Sequence, residues 1–432
     1  MAELPRSLTQ LNAISMVAGT IIGASIFVQP SEIARHLQTP NQIMLVWLVC
    51  GVLTLFGAFV CAELASAFPQ TGGVYVFMRD TFSPLAGFLW GWAMFWSMHS
   101  GIVAAIAVVF ARYTAFFIPV GDLGIRVIAV ATILVISALN YVGVRAGSRV
   151  QTALTLAKLV AIAVMVAAGL FLGREHPQAA AAVAAPSTGS LREFLLAVVA
   201  GLFAYGGWHM VTYTAGETKM PARTIPSALL TGVGIVTVSY VALNLVYLRL
   251  LPIDAVRSST RVAADAADVV LGSGGSAILA GLVMMSAIGG LTGIVLTGPR
   301  VYYSMAHDGL APRWFGFVHP VFRTPSHAIV AQAVWCSVLA ATGAYRQLFT
   351  RVIYTEWLFF ALMAAGLFVL RRRPGYNPEY RAWGYPIVPL VFIVVSLAIV
   401  INQFASEPLE AATGLGLVAL GAPVYYWRHA NR

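Results

Sequence analysis

Apolar residues run along this chain in stretches of about twenty, separated by short polar turns, from near the first residue to near the last. A hydrocarbon core about 30 Å thick takes about 20 residues of helix to cross. Twelve stretches reach that length: 11–35, 43–68, 85–117, 124–141, 151–173, 193–213, 227–250, 277–305, 326–343, 351–370, 385–402 and 409–427. Pro and Gly mark the connections, as in Pro69-Gln-Thr-Gly-Gly73 and Arg371-Arg-Arg-Pro-Gly375. The longest connections are 174–192, with an Ala-rich tract and Pro186, and 251–276. The pattern predicts an all-α polytopic membrane protein of twelve transmembrane helices, built as one integral unit.

Two stretches are interrupted. Span 1 reads Met16-Val-Ala-Gly19-Thr-Ile-Ile-Gly23-Ala-Ser25-Ile-Phe-Val28, and span 6 reads Val199-Ala-Gly201-Leu-Phe203-Ala-Tyr205-Gly206-Gly207-Trp208. Glycines fall where a membrane helix should be continuous. Opened backbone at membrane depth is tolerable only where it lines a polar cavity or is buried in protein. A matched pair of such interruptions in two halves of a chain points to the substrate site of a secondary transporter. Because the breaks lie five spans apart, an odd number, the second half is inverted relative to the first. This predicts a five-plus-five inverted repeat, 1–173 and 174–370, with 371–432 appended. Close helix packing at small residues is the competing explanation for any single glycine-rich span.

The breaks carry the candidate chemistry. Backbone amides of Gly23, Ala24 and Ser25 open the second half of span 1, whose positive dipole end suits a carboxylate. Carbonyls near Thr20 and Ile21, with those of Phe203, Ala204 and Gly206, turn negative ends into the same space and suit an ammonium group. Together they would hold the charged head of a zwitterion and leave its side chain unread.

Composition narrows the class. The mean hydropathy is +0.82 and only 10% of residues are charged, against about 25% in soluble domains. The net charge of +10 raises nucleic acid as a partner, but the basic residues are spread among short loops. An even span count puts both termini on one side, and more of the 26 Lys and Arg residues fall on that side. The positive-inside rule makes it cytoplasmic. The first ten residues are polar, so no cleavable leader is expected. Cys50, Cys61 and Cys336 all fall within spans and are expected to be buried and unbridged. No His-Glu-x-x-His, phosphate-cradling loop or cluster of metal ligands occurs, so neither an enzyme nor a cofactor or metal is expected.

Several segments, in order along nearly the whole chain, carry a family resemblance. They are Gly19-Thr-Ile-Ile-Gly23-Ala-Ser-Ile-Phe27, Ala62-Glu-Leu-Ala-Ser-Ala-Phe-Pro69-Gln-Thr-Gly-Gly-Val-Tyr75 and Phe203-Ala-Tyr-Gly-Gly-Trp208. Gly216-Glu217 running to Pro226, Arg300-Val-Tyr-Tyr-Ser-Met-Ala-His-Asp308-Gly and Trp383-Gly-Tyr-Pro-Ile-Val-Pro389 complete the set. The chain resembles the amino acid–polyamine–organocation superfamily, nearest its L-type amino acid transporter branch. The resemblance implies a LeuT-like fold and sodium-independent amino acid transport, typically by exchange. It implies that a substrate carboxylate meets Gly23, Ala24 and Ser25 while the amine meets Ile21 and Phe203, and that Phe203 closes over the substrate. Where the family has Gly-Ser-Gly this chain has Gly23-Ala24-Ser25, and the added side chain favours small neutral amino acids. His209 stands where an amide is common.

Lys158 lies inside span 5. The resemblance implies that its ammonium replaces the cation that bridges spans 1 and 8 in sodium-coupled relatives; snorkelling toward the cytoplasm is the alternative. His99, near mid-depth in span 3, and Glu356, placed near the outer start of span 10, are candidate coupling groups, with a hydrogen-bonded structural role as the alternative. Glu63 is expected to pair with a loop arginine. Glu217, Lys219 and Arg300 are expected to scaffold the inner gate. Trp90, Trp92, Trp96 and Trp427 are expected in packing or interface roles. Animal L-type transporters join an ancillary subunit through a cysteine between spans 3 and 4. The loop 118–126 has none, so no disulfide-linked partner is expected. Short loops and termini suit a prokaryotic inner membrane. Proton-coupled symport is the runner-up mechanism, and a membrane sensor without transport is the alternative from another class.

Overall fold

A computed structural model describes residues 4–23, 25–27, 29–173, 190–259, 261–272 and 274–430. Among these the chain is helical, with no strand beyond one isolated bridge between Leu8 and Thr218. The helices follow the apolar stretches: α1 Gln10–Ile21, α2 Gln29–His36, α3 Pro40–Ala67, α4 Val74–Thr81, α5 Pro84–Phe117, α6 Asp122–Val142 and α7 Val144–Phe171. Then come α8 Leu191–Ala204, a 3₁₀ segment Trp208–Glu217, α9 Pro221–Leu250, α10 Ile253–Ser258, α11 Val262–Leu271 and α12 Gly275–His307. The chain ends with α13 Ser326–Thr342, α14 Tyr345–Leu370, α15 Ile387–Ser406, α16 Pro408–Ala419 and α17 Gly421–Ala430. Starts are set by local chemistry. Thr9 and Asn12 form a reciprocal cap on α1, and Thr39 and Ser83 cap α3 and α5 just ahead of Pro40 and Pro84.

Among the described residues, eight helical segments are long and apolar enough to cross a membrane, and Ser326–Thr342 and Tyr354–Leu370 are shorter apolar ones. The first and last of the twelve expected spans are each divided, into α1 and α2 and into α16 and α17. The connection 251–276 contains α10 and α11, and residues 174–189 of the other long connection lie outside the described residues. Two boundaries differ in a way that matters. α7 begins at Val144 rather than 151, because Arg145, Ser148 and Arg149 belong to a helical turn that hydropathy alone assigns to a loop. Lys158 is therefore halfway along α7. In the same way α14 begins at Tyr345, so Glu356 is not near an end but at the middle of its helix.

α1 sits at the centre, packed against α7, α9, α12 and the 3₁₀ segment. Helices five spans apart pack on one another: α1 on the 3₁₀ segment, α3 on α9, α5 on α12 and α6 on α13. The three cysteines are buried and free, and Trp90 is fully buried while Trp427 is exposed.

The end of the bundle carrying the N-terminus is sealed by polar contacts. Arg300 Nε and Nη2 donate to the two Glu217 carboxylate oxygens at 2.7 and 3.1 Å, with both side chains fully buried. The Glu217 carbonyl accepts from the amides of Ser7 and Leu8. Glu63 is gripped by Arg371 at 2.5 and 2.9 Å and accepts the Ala382 amide at 2.6 Å. Tyr75 donates to Asp308, which also pairs with Arg79. Removing one partner of a buried ion pair strands a charge, at a cost of about 3–5 kcal/mol, whereas replacing both by apolar groups is often neutral. Glu217→Ala is expected to lower the melting temperature of the purified protein by that measure, and Glu217→Leu with Arg300→Met to recover most of it. A single variant as stable as the wild type would show that water reaches this pair.

Candidate functional site

The first interruption is a real opening of the helix. Ile22 still donates to Ala18 at 2.9 Å, but its ψ of 84° leaves the helical range and Gly23 turns back onto Ile21 O at 2.8 Å. Short 3₁₀ structure resumes over Ser25–Phe27. The second interruption follows Ala204. Tyr205 has ψ near 2°, and Gly207 has φ +95°, a left-handed conformation that favours glycine.

The two openings meet. Thr20 Oγ1 lies 3.2 Å from Gly207 O, and a Cβ on Gly207 would sit 3.2 Å from Thr20 O. Tyr240 Oη, from α9, lies 3.1 Å from both Ile21 O and Ala204 O and so shares its proton between the last carbonyls of the two half-helices. Trp47 and Tyr205 pack their rings against Tyr240.

The remaining carbonyls of the first break face α7 and α12. Lys158 Nζ donates to Gly19 O at 3.0 Å, Ile22 O at 2.7 Å and Ser286 O at 3.2 Å. Ser286 Oγ bonds Ile22 O at 3.1 Å and Gly23 O at 3.3 Å. The Lys158 side chain is buried and does not reach for the aqueous edge. Each charge-assisted hydrogen bond contributes about 1.5–3 kcal/mol, so three such contacts offset the several kcal/mol that burial of an ammonium costs. Two glycines make the approach possible. A Cβ at Gly289 would stand 2.8 Å from Lys158 Cε, and one at Gly19 would collide with Thr155 and Gln151, which both donate to Ser15 O.

Gly23 and Ser25 are half-buried, Gly206 is exposed and Phe203 is 47% exposed, although all lie between the sealed end and the opposite face. Ala24 lies outside the described residues. The geometry refines the expected ammonium receptor. Ile21 O already receives both the Tyr240 hydroxyl and the Gly23 amide, Ala204 O receives the Tyr240 hydroxyl, and Phe203 O accepts the Gly206 amide at 3.3 Å, so a ligand amine here would share or displace these donors. The Gly23 amide is turned onto Ile21 O.

His99 and Glu356 do not touch the breaks. A π-helical turn, Met94–Met98, precedes His99, and Ser100 Oγ reaches back five residues to Phe95 O at 2.6 Å. His99 Nε2 lies 2.9 Å from Ile294 O. Glu356 Oε1 stands 3.4 Å from Nε2 of His209, the second residue after Gly207. Tyr240, Ser286, Gly289 and the His209–Glu356 contact were not foreseen. The available signals were single polar residues in apolar helices and the Gly289-Gly290 pair.

Residues 8–422 match the amino acid permease family. The chain is 30% identical over 431 residues to the human cystine/glutamate transporter, covering 98% of this chain and 85% of that one. It is 29% identical over 427 residues to the serine/threonine exchanger SteT of Bacillus subtilis, covering 98% and 97%. It is 27% identical over 436 residues to the mouse b(0,+)-type amino acid transporter 1, covering 98% and 88%. With a match that runs through both broken helices and every helix between them, the chain belongs to the amino acid permease family, within the amino acid–polyamine–organocation superfamily.

Proposed function

We propose that this protein exchanges small neutral amino acids across a membrane, without sodium, by alternating access between two inverted five-span halves. One observation carries the reading. The backbone of two interrupted helices meets at Thr20 and Gly207 inside the bundle, where membrane helices otherwise run unbroken. The substrate carboxylate binds at Gly23, Ala24 and Ser25, its amine binds at Ile21, Phe203, Ala204 and Gly206, and Phe203 closes over it. The packing of helices five spans apart supports the repeat, since elements near a two-fold axis touch their own counterparts. The protein is a twelve-span inner-membrane permease with both termini cytoplasmic, and it works without a disulfide-linked partner. The relatives support amino acid transport, but their names differ in the amino acid carried. The small-substrate reading therefore rests on Ser25.

Lys158 supplies the cation that makes sodium unnecessary: its ammonium spans carbonyls of the first break and of α12. Proton-coupled symport is the second reading, favoured by the carboxylate–imidazole contact of Glu356 and His209. Reconstituted vesicles separate the two. Labelled L-serine should enter only when an unlabelled amino acid is inside, at the same rate in sodium and choline buffers. Accumulation in empty vesicles driven by a pH gradient would replace exchange by symport, and dependence on sodium would end the Lys158 reading.

Two substitutions test the site. Lys158→Ala leaves the carbonyls of Gly19 and Ile22 without their donor. Exchange is expected to fall at least about tenfold, the equivalent of 1.4 kcal/mol, while the protein still inserts and purifies. Wild-type exchange in that variant would remove Lys158 from the mechanism. Ser25→Gly should admit larger side chains, measured as competition of L-leucine and L-phenylalanine against L-serine; an unchanged competition series would reject the size argument.

A further inference from the structure

Glu356 lies halfway along α14 inside the bundle, where an ionised carboxylate is costly unless a cation answers it. Glu63 and Glu217 have arginines. Among the described side chains, Glu356 has His209. The imidazole is fully buried and the carboxylate keeps 14% exposure. Neither ring nitrogen of His209 makes a hydrogen bond of normal geometry, although the ring is fixed by Trp90, Phe360 and Tyr213 at centroid distances of 5.9, 4.9 and 5.6 Å. Thr355, next to Glu356, touches Met98, next to His99, at 3.9 Å, which brings the α5 imidazole alongside. Because His99 Nε2 faces a carbonyl, it carries the proton, and its Nδ1 is a bare acceptor with no partner.

We propose that Glu356 and His209 form a proton-binding site, filled from water, whose occupation accompanies closure over the substrate. This rests on the transport reading above. The Glu356 carboxylate keeps part of its exposure, through which water would reach it. When closure removes that exposure, the carboxylate loses its water, and taking one proton from hydronium removes the charge and gives the carboxyl an O–H to donate toward the imidazole. Reopening returns the proton to water. The position of His209, two residues after the second break, links the proton to the backbone that surrounds the substrate. The other ionisable groups on packed elements are elsewhere committed or neutral. Tyr213 and His99 flank the pair and Cys61 on α3 is buried. Tyr75, Arg79, Asp80 and Arg371 are engaged at the sealed end. Cys336 comes from α13, His327 faces Trp314 O, Tyr354 binds Ala411 O, Glu410 is half-buried on α16, and α15 has no ionisable residue.

L-Serine exchange in vesicles with equal pH on both sides tests this. Wild-type exchange should fall about tenfold per pH unit along its alkaline limb, the slope of one proton. Glu356→Gln, which places an amide of the same shape beside His209 but cannot ionise, should exchange at a rate independent of pH. A wild type without a slope, or a variant with the wild-type slope, overturns the proposal. So does loss of L-lysine exchange alone in the variant, which would make Glu356 a subsite for cationic side chains. As a measurement free of variants, adding L-serine to weakly buffered wild-type protein should draw about one proton per site; no uptake overturns the proposal. If no amino acid is exchanged at all, the transport reading fails on its own. The site is then read by infrared titration, where a protonated-carboxyl band that fades at alkaline pH and is missing in Glu356→Gln supports it and its absence rejects it.

Discussion

A membrane helix that stops halfway leaves carbonyls with no water to turn to, and each unanswered one costs several kcal/mol. At the end of α1 that debt is settled by three side chains from three helices. Tyr240 serves Ile21, Ser286 serves Ile22 and Gly23, and Lys158 serves Gly19 and Ile22. Much of the surrounding sequence exists to let those groups arrive. Gly289 clears the path of the Lys158 stem, Gly19 lets α7 come close, and Gly207 places the second break against Thr20. Adding one carbon at any of them would push a donor away from its carbonyl.

The two ends of the bundle are built on different terms. At the terminal end, Arg300–Glu217, Arg371–Glu63 and the Asp308 contacts to Tyr75 and Arg79 tie helices that are far apart in sequence. These are strong but few, and each depends on geometry that a small rotation would disturb. Around the breaks, Phe203 and Gly206 keep their exposure.

The architecture was legible because membrane helices write themselves as long apolar runs, and the breaks because glycine is conspicuous inside them. Lys158 stood out as a lone cation in an apolar helix, and Glu63 as an acid at the end of span 2, just ahead of the Pro69–Gly73 turn. Helix starts were misjudged at α7 and α14. Their first turns carry polar residues, so hydropathy cuts them short and shifts Lys158 and Glu356 along the axis. Tyr240 was invisible for another reason. A tyrosine in an apolar helix is ordinary packing until the fold shows that its hydroxyl stands between two carbonyls from separate helices. The pairing of His209 with Glu356 depends on long-range packing of α14 against the second half of span 6, which no local spacing encodes.

The choice of an amine to staple α1 to α7 and α12 affects how those helices can slide. Hydroxyl and amide contacts fail when a bond angle drifts, because their protons point in one direction. An ammonium on a flexible stem has three rotatable protons and a nearly spherical field, so it can pass from one oxygen to its neighbour without ever standing unsolvated. The contact at Lys158 therefore resists separation of the helices far more than it resists shear between them.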